Sequence, residues 1–257
     1  LLVLGGNHDS VATLGESREL LARLGLAVVA AAHENAITQV IVLPQRNGQG
    51  GCIVCAIPFV RPRDVLQSRS GQSAEDKQLS LQTAIQEHYC AVFAAAVECQ
   101  SALAAEGSAN SRPLPIIATG HLTTVGASRS ESVREIYVGA LEAFPTTAFP
   151  PADYIALGHI HRPQLVGGLK HIRYCGSPLP LGFDEAKQTK EMLLVDLDAS
   201  GLKAVTPLEV PRFQGLVAIS GNLETLAGAV RAAAAEGTRA CPAWLEVTVA
   251  EDDYLAD

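Results

Sequence analysis

Ile116-Ile117-Ala118-Thr119-Gly120-His121 is a short apolar run that passes straight into glycine and histidine. Tyr154-Ile155-Ala156-Leu157-Gly158-His159-Ile160-His161 repeats the arrangement, and Leu1-Leu2-Val3-Leu4-Gly5-Gly6-Asn7-His8-Asp9 is a third case. Continuous apolar strands of this kind lie inside α/β sheets, covered on both faces. Ligands of such sheets bind beyond the carboxyl ends of the strands. The three endings can therefore meet at one rim. Glycine ahead of each polar group lets the backbone turn where a Cβ would clash.

Working outward, Ser17 to Leu24 has helical spacing and stops at Gly25. Ile37 to Leu43 and Cys52 to Ile57 read as strands joined through Asn47-Gly48, a strong turn signal. Ser73 to about Glu106 is Ala-rich, with Leu79, Ile85, Tyr89, Val92 and Val97 at helical intervals. That predicts one long amphipathic helix or two shorter ones. Gly107 to Pro115 is a polar connector, and Val133 to Leu141 is helix-like. Met192 to Leu197 and Leu202 to Leu208 pair across Asp198-Ala199-Ser200-Gly201. From about Pro211 the character shifts: Leu216 to Ile219, Leu223 to Ala235 and Trp244 to Val249 read as a small β-α-β unit.

The chain has 257 residues, 48% of them apolar, so a sizeable core is expected and disorder is not. No run approaches the roughly 20 apolar residues that span a bilayer. The first residues lack the basic flank of a signal peptide, and the chain begins without Met, which leads us to expect further sequence upstream. Cys52 and Cys55 form a C-x-x-C with no second pair at zinc-ribbon spacing, so the reading is core thiols. A chain of this length does not need disulfides, which points to a reducing cytoplasm. Formal net charge is −8, which weighs against nucleic acid as partner. A metal-ion nuclease is a partial exception, because its carboxylates serve the ions and the ions supply local positive charge.

Neutral imidazole suits Mn, Fe, Zn or Ni, while amide and carboxylate oxygens suit harder ions. A mixed His/Asn/Asp set suits a two-metal phosphoryl-transfer site, where ions activate water and clamp phosphate oxygens. Each piece has a plainer reading. A lone Gly-His after a strand is usually an exposed loop histidine. Asn-His-Asp after Gly-Gly is usually a turn with an N-cap. His-x-His on a strand is commonly a surface pair. All three at strand ends, in this order, favour the site. His33, His88 and His171 read as structural or exposed.

The order G-N-H-D, G-H, G-H-x-H resembles the second half of the calcineurin-like metallophosphoesterase signature. The flanking text is similar to the SbcD branch: Gly5 to Leu14, Pro115 to Ser128, Asp153 to Arg162 and Arg173 to Pro178. The resemblance implies an α/β metallophosphoesterase sandwich of two sheets flanked by helices, in part, over 1–210. Over 211–257 it implies the start of a small α+β capping, DNA-positioning domain. It assigns Asn7, His121 and His159 to one metal and His161 to the other. His8 would be a non-ligand catalytic imidazole, oriented by Asp9. Implied cofactor and partners are Mn2+, DNA, an SbcC-type ATPase and a second nuclease subunit, in the bacterial cytoplasm and not at a membrane. The implied chemistry is double-strand exonuclease and hairpin or single-strand endonuclease action in DNA recombination, replication and repair. Arg61, Arg63, Arg129, Arg134, Arg162 and Arg173 are candidate phosphate contacts, Arg162 first, for its place beside His161.

The family also carries D-x-H and G-D-x-x-D ahead of G-N-H-D. No histidine here has Asp two residues before it, and no Gly-Asp pair exists. The chain would also end inside the capping domain, without the segment that docks on the ATPase. These 257 residues are therefore expected to be inactive and to bind Mn2+ weakly or not at all. Without an upstream central strand, Leu1 to Leu4 and Ile116 to Thr119 should expose edges. A phosphatase, a cyclic-nucleotide phosphodiesterase and a non-catalytic scaffold remain as alternatives.

Overall fold

The computed structural model describes residues 1–66, 73–106, 113–131, 133, 135–137 and 141–250. In chain order its elements are β1 (Leu2–Leu4), α1 (Val11–Gly15), α2 (Arg18–Arg23), β2 (Ala27–Val29), β3 (Val40–Pro44), β4 (Gly50–Cys55), α3 (Pro62–Val65) and α4 (Ala74–Glu106). There follow β5 (Ile116–His121), β6 (Tyr154–Gly158), β7 (Gln164–Val166), β8 (Leu169–Tyr174), β9 (Lys190–Asp198), β10 (Gly201–Val210), β11 (Leu216–Gly221), α5 (Leu223–Ala234) and β12 (Trp244–Val249).

Six strands make the main sheet, in the order β3-β4-β5-β6-β8-β7. β4, β5, β6 and β8 run parallel, and antiparallel β3 and β7 lie at the edges. The parallel centre coincides with the most apolar text. Ile53, Cys55, Ile116, Ala118, Ile155, Leu157, Ile172 and Tyr174 are all buried there. Thr119 is the one polar side chain within β5's buried run, and it ties strands together. Its hydroxyl accepts from Ile57 N at 2.8 Å and lies 3.1 Å from the Cys55 carbonyl.

One 33-residue helix, α4, covers this sheet. Its inward stripe is Leu81, Ile85, Tyr89, Val92 and Ala96, all buried. The spacing of three and four residues is what a helix needs to bury one face. The sequence reading takes Leu79 and Val97 into that stripe, but they are 65% and 38% exposed. In an Ala-rich helix two neighbouring stripes have nearly equal apolar weight, and packing chooses between them.

Where a second sheet is expected, the described residues form separate two-stranded ladders, parallel β1-β2 and antiparallel β9-β10. The β-α-β unit near the end is as read, with β11 and β12 parallel and α5 packed on both. Two expectations are corrected. Strand β5 exposes no edge, because β4 and β6 bracket it, whereas half-buried β1 pairs with β2 alone among the described strands. Val133, Glu135, Ile136, Tyr137 and Leu141, the described residues of the stretch expected to be helical, are not in a helix. Ser132, Arg134 and 138–140 lie outside the described residues, and so does the connector 107–112.

All six cysteines are free. Cys52 and Cys55, three apart on β4, point to opposite faces and cannot share an ion. Among the described residues no helix is long and apolar enough to cross a membrane.

Candidate metal centre

Strands β5 and β6 are adjacent and parallel, and their register pairs His121 with Gly158. The two motifs therefore leave the sheet side by side. The third arrives from β1 in a different ladder, so the three endings share a rim without sharing a sheet. Gly5 makes that junction, donating its N–H to Val29 O and accepting from Phe59 N at 2.8 Å. Close approach explains the glycines around His121. A Cβ on Gly6 would lie 2.8 Å from His121 Cε1, and one on Gly158 would lie 3.0 Å from His121 Nδ1.

His121 Nε2 lies 2.7 Å from Asn7 Oδ1. The His121 and His159 rings are 5.3 Å apart, centroid to centroid. His159 is buried, and its Nε2 has no hydrogen-bond partner. Its backbone sits at φ 89°, the one non-glycine positive φ among the described residues. Such a conformation costs on the order of 1–3 kcal/mol and persists only where its surroundings impose it. An orphaned buried nitrogen costs about as much again. Both costs fall on the same residue.

Burial pushes the His121 imidazole down to about 4, opposed by the charge of Asp9 and helped by His8 and His161. Burial also drives His159 down to about 3, with His121, His161, Arg129 and His8 adding to the effect. Both rings are thus neutral at physiological pH, the form that donates a lone pair to an ion. Phe59 packs edge-on against His121 and stacks on Tyr137, whose hydroxyl donates to Val60 O at 2.7 Å. This aromatic wall keeps water from one side.

His8 and Asp9 are exposed at the rim. The Asp9 carboxylate accepts from Gly6 N at 2.6 Å, closing the turn, and makes no hydrogen bond to His8. Arg61 donates to the Asp9 carbonyl at 3.3 Å and lies over the Phe59 ring. Arg162 is exposed, and its guanidinium has no protein partner among the described residues.

His161 stands apart in its wiring. Its Nδ1 lies 2.7 Å from Glu185 Oε1, and Glu185 is 0% exposed. Lys190 Nζ lies 2.6 Å from Glu185 Oε2. The sequence reading misses Glu185 and Lys190. A Glu and a Lys in a polar stretch look like solvated surface, and only the fold brings them beneath a histidine.

Asn7, His121 and His159 thus offer a nitrogen- and oxygen-donor set, with an unspent buried nitrogen, that fits one borderline divalent ion. They do not complete a pair of ions. No group of three His, Cys, Asp or Glu is gathered to hold a metal among the described residues.

No family model matches the chain. It is 46% identical to the SbcD component of the SbcCD nuclease of Escherichia coli (strain K12) over 258 aligned residues, which cover 100% of this chain. It is 32% identical to the Rhodobacter capsulatus protein of the same name over 218 residues, or 82% of this chain. The chain spans 61% of the length of the E. coli relative and 51% of the other.

Proposed function

We propose, for a chain that belongs to the SbcD family of nuclease subunits, that its strand-end histidines serve hydrolysis of DNA phosphodiesters. The observation that carries this is the buried, partnerless Nε2 of His159 beside the His121–Asn7 pair. Asn7, His121 and His159 would hold one Mn2+, and His161 would contribute to a second. Bound there, the ions would activate water and neutralise phosphate charge. His8, exposed at the rim, would supply a proton to the leaving oxygen or stabilise the transferring phosphoryl group. Asp9 would act by closing the turn that presents His8. Arg162, and behind it Arg61 and Arg129, would receive backbone phosphates.

The same proposal takes 1–210 as the nuclease unit and 211–257 as the start of a capping unit. It takes an SbcC-type ATPase and a second nuclease subunit as partners. The setting is cytoplasmic DNA recombination, replication and repair, by exonuclease action on duplex ends and endonuclease action on hairpins and single strands. The 257 residues alone are proposed to be inactive, since the carboxylates that would bridge two ions are not among them.

A chimera tests this. These residues replace the matching 258 of the E. coli relative, and the hybrid is assayed with its ATPase partner and Mn2+ on linear duplex. Degradation that His121→Ala abolishes supports the proposal. Hydrolysis of a phosphomonoester in place of DNA would favour a phosphatase. Binding of the ATPase without hydrolysis would favour a scaffold. Robust degradation by the isolated 257 residues would refute the claim of inactivity.

A further inference from the structure

Beside the candidate centre, one glutamine at the sheet edge spends its whole side chain on two loops. Gln164 opens β7, an edge strand of the main sheet. Its Oε1 accepts from Ser128 N at 2.7 Å, and its Nε2 donates to Ser128 O at 2.8 Å. The same Nε2 donates to Arg162 O at 3.2 Å. A primary amide has two donor hydrogens and one carbonyl oxygen, and all three atoms are used here. Ser128 N can only donate, which fixes the way the amide faces. The two bonds to Ser128 copy the exchange between facing residues of an antiparallel ladder. A side chain thus does for the Ser128 loop what a neighbouring strand would do.

A half-buried glutamine at an edge ordinarily keeps several rotamers, and holding it still costs entropy. What it holds is the backbone beside two exposed arginines. Arg129 follows Ser128, and on its other side the Ser130 hydroxyl donates to Glu185 Oε1 at 3.1 Å. Arg162 stands between His161, whose carbonyl accepts from Ser177 N at 3.1 Å, and the glutamine clamp itself. Both side chains therefore reach solvent from backbone pinned on either side. The charge of Arg129 is felt at buried His159, and Arg162 directly follows His161, so both flank the centre.

From this geometry we infer that Gln164 is a positioning residue that yokes the Ser128 loop to the turn after β6, so that Arg129 and Arg162 meet the DNA backbone as one fixed pair. The inference rests on the reading of the site as a nuclease. The planar fork of arginine matches phosphate oxygens, and loops left loose would have to be ordered at each binding event. A clamp closed in advance removes that cost. It governs grip on phosphate and carries no base sequence information.

Two measurements test this. In the 257-residue chain, hydrogen exchange followed by NMR should show a protected Ser128 amide, and Gln164→Ala should speed its exchange about 10-fold. Equal exchange in both overturns the inference, because the clamp is then open in solution. In the chimera with its ATPase partner, binding of linear duplex is followed over a range of salt without Mn2+. Gln164→Ala should raise Kd about 3- to 10-fold, the cost of ordering side chains that were held ready. It should also flatten the dependence of log Kd on log salt by about 1, the loss of roughly one phosphate contact. A plain structural staple would lower stability and leave that slope alone. In a chimera already carrying Arg129→Ala and Arg162→Ala, the clamp has nothing to present, so Gln164→Ala should cost nothing further. An equal loss with and without the arginines overturns the inference, as does an unchanged slope. If Gln164→Ala fails to fold, Gln164→Glu, which loses both donors, replaces it in the binding assay with the same expectations. The expected pattern in a chimera that binds duplex but never cleaves it would sink the nuclease proposal and leave the yoke standing. Cleavage with an unchanged slope would do the reverse, and a chimera that binds no duplex overturns both.

Discussion

The two histidines of Gly158-His159-Ile160-His161 sit two residues apart and live in opposite conditions. His159 is buried with an unspent nitrogen and a left-handed backbone. His161 has its ring and its carbonyl both engaged, by a carboxylate and an ammonium that are themselves satisfied. One corner holds capacity in reserve, and the other uses its capacity to aim a ring. A buried lone pair left idle beside a second imidazole and an amide oxygen is one that an ion from outside could take up.

That contrast can be broken by measurement. The largest effect is expected for Lys190→Ala, which strands a buried carboxylate. Urea denaturation should show a loss of about 3–5 kcal/mol, and a loss under about 1 kcal/mol would mean the corner is looser than drawn. Acid comes next. Burial lowers His121 and His159 when folded, so the unfolded chain binds more protons as pH falls below the ordinary value of 6.5. The stability they contribute is complete above that value and is lost as pH falls through about 4 and then about 3. The unfolding free energy should fall over that window, by several kcal/mol in total. A flat profile would show that the two rings are wetter than their burial suggests.

Replacing each histidine by leucine gives the sharpest contrast. His161→Leu removes a donor from Glu185 and should cost about 1–3 kcal/mol. His159→Leu removes an unsatisfied nitrogen and should be neutral or stabilising by about 1 kcal/mol. Equal losses in calorimetry would erase the difference between the corners. The smallest effect is a control. Tyr89 is fully buried, its hydroxyl also lacks a partner, and it lies against Gly120, just behind His121. It is packed by Phe144 and Phe149, with no acceptor near. Tyr89→Phe should gain about 0.5–1 kcal/mol and leave Mn2+ dependence in the chimera unchanged. A changed dependence would draw Tyr89 into the site.

Much of this was legible before the fold. Apolar runs ending in glycine and histidine announce buried strands with polar exits, because both faces of a central strand must be apolar and only its end meets solvent. The β9-β10 hairpin and the β-α-β unit follow from short, local pairing. The hairpin of β7 and β8 was also legible, since Gly167 and Gly168 both adopt positive φ at its turn, but the sequence reading passes over it. Other features were not legible in principle. Which stripe of α4 faces inward depends on the sheet it meets. Near Val133 the described residues are not helical, and Tyr137 instead stacks on Phe59, a contact that no local pattern announces. Glu185 lies 24 residues from His161, and no local pattern marks that pairing.

The pairing of His121 with Gly158 across β5 and β6 has a wider consequence. Neighbouring strands are held about 4.7–4.9 Å apart by their ladder, and the two imidazole rings lie 5.3 Å apart. The gauge of the cage is thus set by the weave of the sheet, while the outlying arginines ride on the loops. Loops can be exchanged without refitting the cage. A single-residue slip of β6, by contrast, would turn His159 to the opposite face and dismantle it at a stroke.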